Sequence, residues 1–324
     1  MSNLSDSSTD RPAGGPQVRH ITVSPEHAGQ RLDNFLIREL KGLPRSRVYR
    51  LVRKGEVRVN LGRVDARYRL QSGDRVRIPP VRLGPGAAPR VAASLETGEI
   101  LFEDAHLLIL DKPAGLPVHG GTGVSAGVIE ALRARQPDCP FLELVHRLDR
   151  DTSGCLMLAK SRAALTGLHA ALRRDGPEAP ITKRYAALVR GRPGRDRIEV
   201  HTGLDRSSLR GGERTVVVSE SGDRAASVFR VERPGPSCTG VEIELVTGRT
   251  HQARVHAVHI GHPIAGDRKY GDRDFNKQAR RAGLRRLALH ARSLEFSHPV
   301  TGKPCRAEAP VPAAFAAAYD ALNP

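Results

Sequence analysis

The chain has 324 residues, enough for about two domains and a sizeable buried core. Its 52 Lys and Arg outweigh 35 Asp and Glu, a formal net charge of +17 that attracts phosphate backbones, although an Arg-, Ala-, Gly- and Pro-rich composition also fits GC-rich coding. Cys139, Cys155, Cys238 and Cys305 are scattered with no C-x-x-C pair, which excludes a zinc ribbon or small disulfide scaffold, and no apolar run approaches the ~18 residues of a membrane span.

Residues 1–18 are rich in Ser, Asp, Gly and Pro and lack the apolar core of a signal peptide, so a disordered tail on a soluble, cytoplasmic protein is expected. Residues 19–79 read as a compact basic unit. Leu32, Phe35, Leu36 and Leu40 recur at helical spacing, and Gly42 and Pro44 end that helix. Ser46 is placed to cap a second helix through Lys54, with Val48, Leu51 and Val52 inward and Gly55 as the stop. Arg47, Arg50, Arg53 and Lys54 then lie around its outer side. Val57–Asn60 and Arg75–Ile78 read as strands, joined through turns at Leu61-Gly62 and Gly73-Asp74. From Arg31 to Arg77 there are 14 Lys/Arg and 5 Asp/Glu, so 47 residues carry +9 of the total charge.

Residues 80–93, dense in Pro and Gly, read as a linker. From residue 94 to 324, strands are expected at 99–102, 107–110, 155–159, 185–190, 215–218, 226–232, 240–247 and 292–296. Helices are expected at 126–136, 161–173, 251–259 and 313–322. Strands outnumber helices and often follow one another directly, which predicts an α+β fold on a largely antiparallel mixed sheet.

The densest polar segment is His146-Arg147-Leu148-Asp149-Arg150-Asp151-Thr152-Ser153-Gly154. In extended geometry Arg147, Asp149 and Asp151 share a side. A carboxylate among arginines is held ionised, suited to act as a nucleophile; a turn with capping Asp and Thr and paired arginines is the structural alternative. A second segment, Gly248-Arg249-Thr250-His251-Gln252-Ala253-Arg254-Val255-His256, continues through His259, Gly261, His262, Pro263, Gly266, Asp267 and Tyr270-Gly271-Asp272. No acidic or Cys ligand stands at metal-like spacing and there is no H-E-x-x-H, so these histidines read as hydrogen-bonding groups that hold Arg249 and Arg254.

A third segment, Asp111-Lys112-Pro113-Ala114-Gly115, runs from a strand into a Pro/Gly loop. Gly121-Thr122-Gly123 lacks the strand–turn–helix context of a dinucleotide loop, and no P-loop exists. Ser153, His146 and Asp149 are too close in sequence for a hydrolase triad, and no G-x-S-x-G elbow is present. The fourth segment is Thr182-Lys183-Arg184-Tyr185, where a Tyr between cations at a strand start could stack on a base or serve as an ordinary strand residue.

His146–Gly154, Asp111-Lys112-Pro113 with Gly115, Lys183-x-Tyr185, and Gly248–His256 together resemble the motifs of the RluA-type pseudouridine synthases. The 19–79 unit resembles the small α/β RNA-binding module shared with a ribosomal protein. Segments such as Lys54–Asn60, Ile78–Arg82, His119–Gly121 and Phe141–Val145 are similar to the members that act on large-subunit (23S) rRNA. Ala253 stands where a larger aliphatic residue is common in the family.

The resemblance implies a catalytic domain over 94–324 that turns uridine into pseudouridine. Asp149 would be the nucleophile, attacking either C1′ of the ribose or C6 of the ring. Arg249 would pair with Asp149, Tyr185 would stack on the flipped uracil and could serve in proton removal at C5, and Arg147 would open or fill the stack near the target. Lys183 and Arg254 would hold phosphates or the local fold. Arg47, Arg50, Arg53, Lys54 and Arg58 would grip rRNA in a salt-dependent way. No metal or other cofactor is implied, and a monomer is expected. Two other classes remain in view: a non-catalytic ribosome-assembly protein, and a nucleic-acid hydrolase or lyase needing a metal or a second carboxylate, for which Asp151 is the nearby candidate.

Overall fold

The computed structural model describes residues 17–40, 43, 45–81, 95–120, 126–174, 180–208 and 214–324. The expected tail up to residue 16, most of the expected linker (82–93) and the Gly121–Gly123 segment lie outside the described residues. The chain divides into two compact units, Met1–Ala88 and Pro89–Pro324.

In the first unit, strands β1 (Arg19–Thr22), β2 (Arg58–Val59) and β3 (Arg75–Ile78) form an antiparallel sheet in the order β1-β3-β2. Helices α1 (Leu32–Glu39) and α2 (Arg45–Arg53) precede β2. The apolar positions spaced at three and four residues, Leu32, Phe35, Leu36, Val48, Leu51 and Val52, meet Val76 and Ile78 in one core. Helix α2 starts at Arg45, so Ser46 lies in its first turn and is not the cap. Gly55 takes a left-handed turn (φ 69°) and stops it. Arg47, Arg50, Arg53 and Lys54 are exposed, as expected for the outer side of α2.

The second unit is built on an eleven-stranded sheet. Its strands are β4 (Ile100–Glu103), β5 (Leu107–Lys112), β6 (Glu143–Leu144), β7 (Ser153–Ala159), β8 (Ile181–Arg190), β9 (Arg197–Ser208), β10 (Arg214–Val218), β11 (Asp223–Arg233), β12 (Cys238–Leu245), β13 (Leu289–Ser297) and β14 (Pro304–Glu308). The order is β10-β9-β11-β12-β8-β13-β7-β5-β4, with β14 on β13 and β6 on β7. Among the described strands the pairing of β13 with β7 is parallel and the others are antiparallel, which gives the expected α+β, largely antiparallel mixed sheet.

Both faces of the sheet centre are covered, so β5 and β7 read as nearly continuous apolar runs. Leu108, Leu110, Leu156 and Leu158 face one core, while Leu107, Ile109, Cys155 and Met157 face the other. Helices α3 (Val128–Arg135), α5 (Gln252–His259), α6 (Arg273–Arg281) and α7 (Ala313–Leu322) contribute to the first core, and α4 (Arg162–Leu172) contributes to the second. Strands β1, β6, β9 and β14 and helix α6 were not anticipated. In α6 only Phe275 and Ala279 are buried, too sparse a stripe to stand out in a run of charged residues.

The β7–β13 junction admits no side chain at Gly154. Its backbone is left-handed (φ 105°), and a Cβ there would overlap the main chain of Ala291, its partner across the parallel pair. Gly283 is also left-handed (φ 87°) but faces open space. Gly154→Ala is therefore expected to cost about 3 kcal/mol or more, and Gly283→Ala about 1 kcal/mol, in urea unfolding. Equal costs would show that the close approach to β13 is unimportant.

Candidate active site

Asp149 sits in the loop between β6 and β7, at the edge of that junction. From Arg147 to Asp149 the chain belongs to no strand or helix, and it turns at Arg150. Arg147 is exposed, and Asp151 pairs with Arg150 at 3.1 Å. Lys112 pins this loop from below. Its fully buried ammonium donates to the carbonyls of Pro113 (2.7 Å), Leu116 (2.9 Å) and Arg150 (3.1 Å). Burial pushes Lys112 down to about 8, and Arg286 adds to this against the pull of Asp151, Asp149 and Asp111. The Gly115 amide also donates to Arg150 O, at 2.8 Å. His146 turns inward and accepts from the Met157 amide at 3.0 Å. Ser153 Oγ, at the start of β7, lies 2.8 Å from His290 Nδ1 and 2.5 Å from Arg286.

The arginine seated on Asp149 is Arg254 rather than the expected Arg249. Arg254, in the first turn of α5, donates to Asp149 Oδ2 at 2.9 Å. Its other two nitrogens clamp Asp267 at 2.7 and 2.8 Å. Burial alone would push Asp267 up, but the hydrogen bonds and charge of Arg254 and the amides of Tyr270 and Lys269 outweigh it and hold the carboxyl below its usual range. The chain reverses at His251, a non-glycine residue in left-handed geometry (φ 55°), before α5 begins. That reversal separates the two arginines. Arg249, before the turn, is exposed and directs its Nε to the Arg224 carbonyl at 3.0 Å, whereas Arg254, after it, reaches Asp149.

A hydrogen-bonded chain orients His251. The Val216 amide donates to the Tyr270 hydroxyl at 2.9 Å, and that hydroxyl lies 2.7 Å from His251 Nδ1. The phenol proton therefore goes to Nδ1, which leaves Nε2–H facing Asp149 Oδ1 at 3.7 Å. Burial pushes His251 below its ordinary value, against the attraction of Asp149.

The turn itself rests on a buried polar network. Gln252 Oε1 accepts from Thr247 Oγ1 (2.7 Å) and the Arg249 amide (2.9 Å). Its Nε2 donates to Ala226 O and Ser227 Oγ, at 2.9 Å each. Ser227 Oγ then donates to His256 Nδ1 (3.0 Å), and His256 Nε2 donates to Thr202 Oγ1 (2.9 Å). His251 and His256 thus act as hydrogen-bonding groups, and among the described residues no group of three or more His, Cys, Asp or Glu is arranged to hold a metal.

Tyr185, on β8, is 8% exposed. Burial and then the Asp149 charge push its phenol up, so it keeps its proton at neutral pH. The Lys183 ammonium lies beside Gly248, at the start of the 248–256 segment. Next to the site a polar groove of about 510 Å³ is lined by Leu204, Asp205, Val216, Asp223, Arg249 and Thr250, among others. The sequence did not single out Asp267, Tyr270 or the anchoring role of Lys112. The Asp267-x-x-Tyr270-Gly271-Asp272 run was visible, but nothing local tied it to Asp149.

Residues 106–259 match the family described as RNA pseudouridylate synthase, and residues 30–76 match the S4 domain. The chain is 50% identical over 301 residues to the ribosomal large subunit pseudouridine synthase C of Yersinia pestis, covering 91% of this chain and 93% of that one. It is also 50% identical over 303 residues to the protein of the same name from Escherichia coli (strain K12), covering 91% and 94%. The solved structure of human RNA pseudouridylate synthase domain containing 4 is similar, with TM-score 0.56 and 26% identity over 72% of this chain and 96% of that one. The chain belongs to the RNA pseudouridylate synthase family, with an S4 domain ahead of its synthase domain.

Replacing Arg254 with Gln leaves both Asp149 and Asp267 without their cation. It is expected to lower turnover by about 10²–10³-fold, whereas Arg249→Gln should stay within about tenfold in a tritium-release assay on uridine-labelled RNA. A larger loss at Arg249 would return the pairing role to it. His256 and His290 are fully buried, and burial holds both near 4 against an ordinary 6.5. Their neutral forms are therefore favoured by the fold, and stability is complete above pH 6.5 and lost as pH falls through about 4. Urea unfolding should show a loss on the order of 2 kcal/mol per imidazole between about pH 6.5 and pH 5. A flat profile there would mean that these groups can be protonated inside the fold.

Proposed function

We propose that this protein converts specific uridines of large-subunit (23S) rRNA to pseudouridine, with Asp149 as the nucleophile. The observation that carries the reading is the carboxylate of Asp149, one oxygen held at 2.9 Å by an arginine that is itself clamped on Asp267. Such a carboxylate is fixed in direction and still about a quarter exposed, so an atom of the substrate can reach it. The names of the relatives support rRNA of the large subunit as the substrate.

The target base leaves its helix before reaction, because a stacked uridine cannot present C1′ or C6 to a protein carboxylate. Asp149 bonds to C1′ or C6, the N1–C1′ bond breaks, the ring turns, C5 bonds to C1′, and the bond to Asp149 breaks to free the carboxylate. C5 then gives up its proton and N1 gains one, so the reaction is an isomerisation that needs no external reactant. Arg254 holds Asp149 on its reactive course, and His251 presents a neutral N–H to the other carboxylate oxygen. Tyr185 works as a neutral phenol that packs against the uracil ring. Arg147, exposed beside Asp149, fills the stack the base has left. Lys183 braces the 248–256 segment.

Residues 19–79 act as a separate grip. The exposed Arg47, Arg50 and Arg53 of α2, Lys54 just after it and Arg58 at the start of β2 contact phosphates and add a salt-dependent share of affinity. The protein works as a monomer in the cytoplasm, without a metal or other cofactor.

The test is pseudouridine mapping of an unmodified large-subunit rRNA transcript, by carbodiimide labelling and primer extension, with a chelator present. The wild-type chain is expected to give stops at a few defined uridines. Asp149→Asn should abolish them and leave RNA affinity within about threefold, because the substitution removes the nucleophile and little of the binding surface. Turnover by the Asn variant would remove Asp149 from its role. Tight binding without stops would instead favour an assembly factor.

A further inference from the structure

We propose that α6 is a second RNA-contact surface, on the synthase unit itself, which seats the phosphates of an RNA helix beside the target uridine. The proposal rests on the rRNA-modifying reading above. Residues 268–285 hold 7 Lys/Arg and 2 Asp/Glu, a net of +5 in 18 residues, denser than the +9 spread over residues 31–77.

The arrangement of this charge matters more than its amount. At about 100° per residue, Arg273, Lys277, Arg280 and Arg281 fall within one arc of roughly 100°, opposite the buried Phe275 and Ala279. All four cations are exposed. The one acidic residue of the helix, Asp274, pairs with Lys277 at 2.9 Å and stands at the margin of the arc. From Arg273 to Arg281 the stripe runs about 12 Å along the helix axis. An Arg-rich composition by itself would scatter cations around the helix; here they form a line, as a regular row of phosphates requires.

The helix is also joined to the nucleophile. Asn276, on the side of α6 next to its buried face, accepts from the Gly266 amide at 2.7 Å and donates to the Asp267 carbonyl at 2.8 Å. Asp267 holds Arg254, and Arg254 holds Asp149. At the start of the helix Asp272 caps the Phe275 amide at 2.7 Å and pairs with Arg190 at 2.9 Å. RNA lying on the stripe is thus held in a frame that ends at the reactive carboxylate, separately from any grip by residues 19–79.

The experiment uses the full chain and a short G·C RNA duplex, which contains no uridine and so reports binding alone. Affinity is measured across a salt series for the wild type, for Arg273→Gln/Lys277→Gln/Arg280→Gln/Arg281→Gln, and for the charge-keeping Arg273→Lys/Arg280→Lys/Arg281→Lys. The Gln variant is expected to lower the slope of log K against log salt by about 2–4, with affinity at least about tenfold weaker at low salt, while the Lys variant keeps the wild-type slope. On rRNA the Gln variant should raise KM and leave turnover at saturation unchanged. A wild-type slope in the Gln variant overturns the α6 surface and leaves the enzymatic reading intact, since stops on rRNA would persist. Equal loss in the Lys variant also overturns it, because the helix and not its charge would then be responsible.

Discussion

One guanidinium organises the site. Arg254 sits between a nearly buried carboxylate, Asp267, and a partly exposed one, Asp149. Removing either partner of such a buried pair leaves a charge in a poor solvent, which typically costs about 3–5 kcal/mol. Asp267 therefore fixes the arginine whether or not substrate is present, and the remaining nitrogen of the fork is available to Asp149. A lysine has one charged atom and could not hold both carboxylates in set directions. The coupling explains why Asp267 is deeply buried, since a mobile anchor would let the nucleophile wander.

The remaining elements bring these groups together. The sheet changes from antiparallel to parallel pairing between β13 and β7, and the Asp149 loop enters at that place. Parallel strands cannot be joined by a tight turn, so the chain ends arriving there are free to carry loops. Gly154 allows β7 to approach β13, Lys112 ties the carbonyls beneath the loop, and Ser153 connects it through His290 and Arg286 to the far side. On the opposite flank, the Gln252–Ser227–His256 network stabilises the left-handed turn at His251. Strain of this kind persists only when its surroundings over-determine it, and here every member of the network is hydrogen-bonded.

Charge is arranged at two levels. Inside the site, one arginine spans two carboxylates at hydrogen-bond distance, so the charges set geometry. On the surfaces of α2 and α6 the cations stand exposed and largely unopposed, where they act over distance and weaken with salt. A net charge of +17 therefore says little until these two populations are separated.

Much of this was legible in the chain alone. The spacing of Leu32, Phe35 and Leu36 set α1, and the apolar runs at 107–110 and 155–159 set the central strands, because backbone periodicity is a local property. The segment holding Asp149 also stood out, since its polar residues are contiguous. What the sequence left undecided were pairings across distance. Asp149 and Arg254 are 105 residues apart, and whether Arg254 or Arg249 meets the carboxylate depends on one left-handed turn at His251. The partnership of Asp267 with Arg254, the proton direction through Tyr270, and the single cationic stripe of α6 likewise depend on how the backbone runs in space. Side-chain pattern selects helix or strand within a few residues, but only the packed chain determines which distant groups share a low-dielectric site and must satisfy one another.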